Sequence, residues 1–82
     1  MVKISFDPSF KIIFSKIKDK SLKTRILKQI SKIKDNPDIG KPMKYVRKGT
    51  REVYIPPYRL SYIYYKNRNI IVILDLYHKD EQ

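Results

Sequence analysis

The chain contains no cysteine, two glycines, one histidine and only eight acidic residues in 82 positions. Each scarcity removes a class of protein. Without thiols there is no disulfide to staple a small fold and no thiolate to hold zinc, so stability must come from apolar packing or from a partner. A lone His78 supports no His-rich metal pattern, and no metal site or cofactor is expected. Gly40 and Gly49 are too few and too far apart for a Gly-rich phosphate loop, and no Ser-His-Asp set lines up. No apolar run approaches the roughly 18 residues of a membrane span. The start, Met1-Val2-Lys3-Ile4-Ser5-Phe6-Asp7-Pro8, lacks the apolar run of a signal peptide. The expectation is a soluble cytoplasmic protein with no membrane contact.

What is plentiful is positive charge. Nineteen Lys and Arg against eight acids leave a formal charge of +11. On so small a body this makes a field that draws polyanions and weakens with salt. Nucleic acid is the default partner class, even though part of the lysine merely solvates helix surface. The length allows one domain, expected to span 1–82 and to bury about 60% of the unfolded surface.

Val2, Ile4 and Phe6 alternate with polar residues, the period of a short half-buried strand. Asp7-Pro8 ends it and suits the cap and first position of a helix carrying Phe10, Ile13, Phe14 and Ile17 on one stripe. After a break at Asp19-Lys20-Ser21, a second helical series runs through Leu22, Ile26, Leu27, Ile30 and Ile33 until Asn36-Pro37 stops it. Asp38 to Pro42 reads as a loop and Lys48-Gly49-Thr50 as a tight turn. Arg51 to Ile55 and Arg59 to Tyr65 read as strands on either side of a Pro56-Pro57 bend, and Lys66 to Asn69 closes a hairpin. Ile70 to Leu74 is apolar on both pleat faces, which predicts a central strand covered on both sides or lying at an interface. The order β-α-α-β-β-β predicts an α+β domain: an N-terminal strand and a helical hairpin packed on a mostly antiparallel sheet.

From Asn36 onward the chain resembles the RelE/ParE toxin superfamily. The pieces are Asn36-Pro37, Gly40-Lys41-Pro42-Met43-Lys44, Tyr58-Arg59-Leu60-Ser61-Tyr62 and His78-Lys79, in the family's order and behind a helical hairpin. RelE-type members imply ribosome-dependent, metal-free cleavage of mRNA by attack of a 2′-hydroxyl on the adjacent phosphate, which inhibits translation. ParE-type members imply inhibition of DNA gyrase without catalysis. Both imply the toxin of a type II toxin–antitoxin pair silenced by a cognate antitoxin, with operator DNA reached only through that complex. A degenerate toxin that only binds its antitoxin is the remaining alternative.

Metal-free RNA cleavage needs a base, an acid and a fixed cation. Arg59 matches the family's transition-state arginine, and its planar fork suits two phosphate oxygens. Its plainer reading is a strand arginine paired with a neighbouring acid. His78 is the natural proton carrier at neutral pH, and Lys79 stands at the family's second arginine as a point cation. The catalytic set is therefore Arg59, His78 and Lys79, with Arg59→Ala expected to abolish growth arrest and leave the fold nearly unchanged. Lys41, Lys44, Arg47, Lys48 and Arg51 form the expected RNA track. Of the seven tyrosines, Tyr62 and Tyr64 share one face of their strand and Tyr65 takes the other, so two or three at most can stack bases. Two departures bear on activity. Glu52 and Tyr54 occupy positions where RNA-cleaving relatives often carry lysines, and the chain ends Asp80-Glu81-Gln82 where many place a tyrosine, a role left to Tyr77 or His78.

Overall fold

A computed structural model of the chain describes residues 2–44 and 48–78. β1 (Lys3–Phe6) leads into α1 (Pro8–Lys16) and α2 (Lys20–Asp35), followed by β2 (Lys41–Pro42), β3 (Arg51–Ile55), β4 (Tyr58–Tyr65) and β5 (Ile70–His78). The five strands form one sheet in the order β1-β5-β4-β3-β2. β1 runs parallel to β5, and the other pairings are antiparallel. The expected α+β architecture is present, with one addition. Lys41 and Pro42, read from sequence as loop, pair with Glu52 and Arg51 as a two-residue edge strand.

Both helices begin on an aspartate. Asp7 accepts hydrogen bonds from the Ser9 amide at 3.0 Å and the Ser9 hydroxyl at 2.7 Å, with Pro8 in the first turn. Asp19 accepts from the amides of Ser21 and Leu22 at 2.9 and 3.2 Å. These bonds satisfy amides that a helix start otherwise leaves unpaired. The Ser9 bonds also draw the Asp7 carboxyl below its ordinary value.

One face of the sheet carries the helices. Phe10, Leu22, Ile26, Ile30 and Ile33 meet Ile55, Leu60, Tyr62, Ile71, Ile73 and Leu76 in a single core, and Ile13, Phe14 and Ile17 pack against its rim. Leu27, placed by sequence on the buried stripe of α2, is 56% exposed. It lies one residue, about 100°, past Ile26 and so turns off a stripe that the 22-26-30-33 spacing already fills.

β5 meets the expectation of a strand inside the sheet but not that of cover on both faces. Among the described residues the helices cover only one of its faces. Ile71 and Ile73 are buried against them, while Val72 and Leu74 on the other side are half-buried. Leu74 is the extra residue of a bulge where β4 changes register from Ser61↔Asp75 to Tyr62↔Ile73.

Tyr62 fastens the loop after α2 to the sheet. Its hydroxyl donates to the Pro37 carbonyl at 2.7 Å and accepts from the Gly40 amide at 2.8 Å. Burial pushes its pKa up. Gly40 has to be glycine for this contact: a Cβ there would stand 2.6 Å from the hydroxyl oxygen. Gly49 serves the turn before β3 by taking φ 94°, which side chains rarely adopt.

Candidate functional site

The Pro56-Pro57 turn sets the geometry of the opposite, helix-free face. Because only these two residues separate β3 from β4, Ile55 pairs with Tyr58, Tyr54 with Arg59 and Glu52 with Ser61. β5 continues the rows with Tyr77 beside Arg59 and Asp75 beside Ser61. Alternation along each strand then points Tyr54, Arg59 and Tyr77 to the same face as Glu52, Ser61 and Asp75. The neighbouring rows, Val53-Leu60-Leu76 and Ile55-Tyr58-His78, point toward the helices.

At this site Glu52 is 4% exposed. Its Oε1 lies 3.4 Å from Nη1 of Arg59, and its Oε2 accepts a hydrogen bond from the Tyr77 hydroxyl. A carboxylate withdrawn from water requires such partners, and here a cation and a phenol supply them. The Arg59 guanidinium carbon lies 5.9 Å from the centre of the Tyr54 ring, whose outer part is exposed. Nε of Arg59 is buried with no hydrogen-bond acceptor among the described residues. A depression of about 240 Å³ beside the pair is lined by Lys41, Met43, Glu52, Val53, Tyr54 and Arg59. The cluster thus brings a carboxylate, a planar cation and an aromatic face to one cleft, with a phenol hydrogen-bonded to the carboxylate.

Not all of the residues singled out in the sequence meet here. Arg59 is at the centre and Lys41 lines the same depression. His78 is one strand position from Tyr77 but on the other face, its ring edge-on to Tyr58 with centroids 5.6 Å apart. The sheet therefore separates His78 from Arg59. Lys79 and Arg47 lie outside the described residues, as does Tyr45. Lys44 and Lys48 are exposed on the connection between β2 and β3. Arg51, expected on the RNA track, points to the helix face and fastens a loop. Its Nη1 donates to the carbonyls of Gly40 at 2.8 Å and Asp38 at 3.1 Å, and its Nη2 lies 3.4 Å from the Asp38 carboxylate.

Sequence reading noted Glu52 only as a departure and did not join it to Arg59. The signal was present in the two-residue turn, which fixes Tyr54 opposite Arg59 and puts Glu52 one pleat repeat away on the same face. Tyr62 is fully buried and Tyr58 and Tyr64 pack against the core; among the described residues Tyr54 lines this cleft and Tyr77 reaches Glu52 beside it.

Residues 4–82 match the family described as the ParE toxin of type II toxin–antitoxin systems, parDE. No curated protein sequence matches the chain. Among solved structures, the fold is similar to a RelBE toxin–antitoxin complex of Mycobacterium tuberculosis, with a TM-score of 0.82 at 20% identity over 95% of this chain and 98% of that one. The isolated RelE toxin of E. coli gives 0.80 at 12% identity, covering 95% and 84%. A metal-bound toxin from Helicobacter pylori gives 0.64 at 23% identity, covering 99% and 98%. At these identities the likeness is one of fold, and the family match along nearly the whole sequence supplies the rest: the chain belongs to the ParE toxin family of type II toxin–antitoxin systems and is a member of the RelE/ParE superfamily.

Proposed function

We propose that this toxin is a metal-independent mRNA endoribonuclease that acts on the ribosome and stops translation, and that a cognate antitoxin silences it. The observation that supports the reading is the contact of Arg59 with Glu52 in a cleft that Lys41 and Tyr54 also line, with the Tyr77 hydroxyl on Glu52. Glu52 takes the proton of the 2′-hydroxyl, and the freed oxygen attacks the adjacent phosphorus. Arg59 balances the charge that builds on the phosphorane. Tyr77 gives its proton to the departing 5′-oxygen and recovers one from Glu52. The products are a 2′,3′-cyclic phosphate and a 5′-hydroxyl. Lys41 holds a neighbouring phosphate, and Tyr54 presents its ring to a base. His78, packed on Tyr58 across the sheet, takes no part in this scheme, and Lys44 and Lys48 extend the cationic border. The antitoxin is assigned by analogy with the RelBE toxin–antitoxin complexes of similar fold.

A second reading is a ParE-like inhibitor of gyrase that works by binding alone. The family match favours it, and so does the compensation of the Arg59 charge by Glu52. Inducing wild type, Arg59→Ala and Glu52→Gln in cells without antitoxin separates the two. Ribonuclease action requires rapid loss of protein synthesis and new mRNA 5′ ends within codons, with both variants down about 10²–10³-fold in cleavage. Continued translation with DNA damage, or equal toxicity of all three chains, would overturn the ribonuclease reading.

A further inference from the structure

The helix-free face does not end at the Arg59 cleft. β4 carries Arg59, Ser61, Ile63 and Tyr65 on that side, and at about 3.4 Å per residue Tyr65 lies roughly 20 Å along the strand from Arg59. There the register places Tyr65 beside Ile70, and Ile70 beside Lys3 of β1. The β4–β5 turn adds Lys66 and Arg68. Tyr65 is 47% exposed, and Lys3, Lys66 and Arg68 are exposed with it. None of the three cations forms an ion pair with a described acid. Tyr64, Tyr65, Lys66, Asn67 and Arg68 line a shallow depression of about 500 Å³. The turn is held from within: the Arg68 amide donates to the Tyr65 carbonyl at 3.0 Å, the Asn69 amide to the Lys66 carbonyl at 3.2 Å, and Asn69 takes φ 54°.

A half-exposed ring at a hairpin end that also carries these cations fits a nucleotide of single-stranded RNA. The base stacks on the ring and the phosphates meet the cations. An acidic polypeptide would use the charges and the half-buried Ile63 and Ile70 beside the ring, whereas a flat exposed ring among cations is what a base with its phosphates uses. We infer that the β4–β5 hairpin end of the sheet, with Tyr65, Lys66, Arg68 and Lys3, is a second RNA-binding surface, so that the strand entering the Arg59 cleft runs along the helix-free face to a stacking anchor about 20 Å away. The inference rests on RNA being the ligand of the Arg59 cleft but does not require that it be cut.

The test measures binding of the full chain to 2′-O-methyl RNA, which cannot be cleaved by 2′-hydroxyl attack, by fluorescence anisotropy. Probes of about twelve and about three nucleotides are compared, the first long enough for both surfaces. Tyr65→Ala is expected to weaken binding of the long probe about tenfold, the weight of one stacked base, and Tyr65→Phe to bind like wild type. The double change Lys66→Ser with Arg68→Ser is expected to flatten the slope of log affinity against log salt by about 1.4, at about 0.7 for each phosphate that is no longer neutralised. The short probe, which meets one surface at a time, should lose less than the long one. Unchanged affinity and slope for the long probe, or an equal loss for the short one, would overturn the inference. So would variants that lose affinity for an acidic partner protein and keep it for RNA. If wild type makes no cuts but the hairpin variants lose long-probe affinity, the ribonuclease reading falls and this surface stands; if it cuts and the variants bind normally, the reverse holds.

Discussion

Replacing Arg59 by alanine should destabilise the protein as well as disarm it, contrary to what the sequence suggested. The Glu52 side chain is 3% exposed, and its two oxygens face Tyr77 and Arg59. Removing the guanidinium leaves a buried carboxylate with one phenol for company. Deleting one partner of a fully buried pair costs about 3–5 kcal/mol. The Arg59 side chain is 31% exposed and the contact is 3.4 Å, so water reaches this pair. With that screening, about 1–3 kcal/mol is expected. Against a total of about 4–12 kcal/mol for a chain of this size, the loss is large. It corresponds to a fall in midpoint of roughly 4–24 °C. Glu52→Gln in the same background removes the stranded charge and keeps an acceptor for Tyr77. The double variant should therefore recover at least half of the loss. Urea unfolding of the four chains, followed by far-ultraviolet circular dichroism, gives the coupling directly, with about 1–2 kcal/mol anticipated. Strictly additive effects, or an Arg59→Ala chain within about 0.5 kcal/mol of wild type, would show that the pair is not held as described. A practical consequence follows for toxicity assays: loss of activity in Arg59→Ala counts as chemistry only below its own unfolding midpoint.

Two further outcomes concern the fastening of the loop after α2. Gly40→Ala drives a methyl to 2.6 Å from the Tyr62 hydroxyl oxygen and 2.7 Å from its ring, and Tyr62 is fully buried. A loss of about 1–3 kcal/mol is expected in urea unfolding, and a chain as stable as wild type would refute the contact. The raised pKa of Tyr62 makes stability depend on pH at the alkaline end. The folded state holds this proton more tightly than the unfolded one, so the contribution is complete below the ordinary tyrosine value of 10.0 and fades as pH rises through the folded value. Unfolding midpoints of wild type should drop above about pH 10 more steeply than those of Tyr62→Phe, and parallel curves would refute the assignment.

Local chemistry determined much of this protein before any tertiary contact is considered. Asp7-Pro8 and Asp19 cap helices because a carboxylate beside free amides needs nothing distant. The 22-26-30-33 spacing makes a buried stripe because helix geometry is fixed per residue. The order of helical and strand segments implied an α+β sheet, and the Tyr58-Arg59 and His78-Lys79 pieces implied the superfamily. Leu27 shows where periodicity over-reads: an extra apolar residue beside a filled stripe is indistinguishable in sequence from a member of it.

The site itself was decided by pairing between strands. His78 and Tyr77 are neighbours in sequence, yet the pleat sends one to the helices and the other to Glu52. No composition or spacing within β5 says which; that choice is set by its register against β4 and by the bulge at Leu74. Arg51 and Arg59 have the same side chain on adjacent strands, and the face each takes makes one a loop fastener and the other the centre of a cleft. Charge and apolar patterning are properties of the chain alone, whereas which carboxylate meets which guanidinium depends on residues brought together across a sheet, and only the folded structure fixes that.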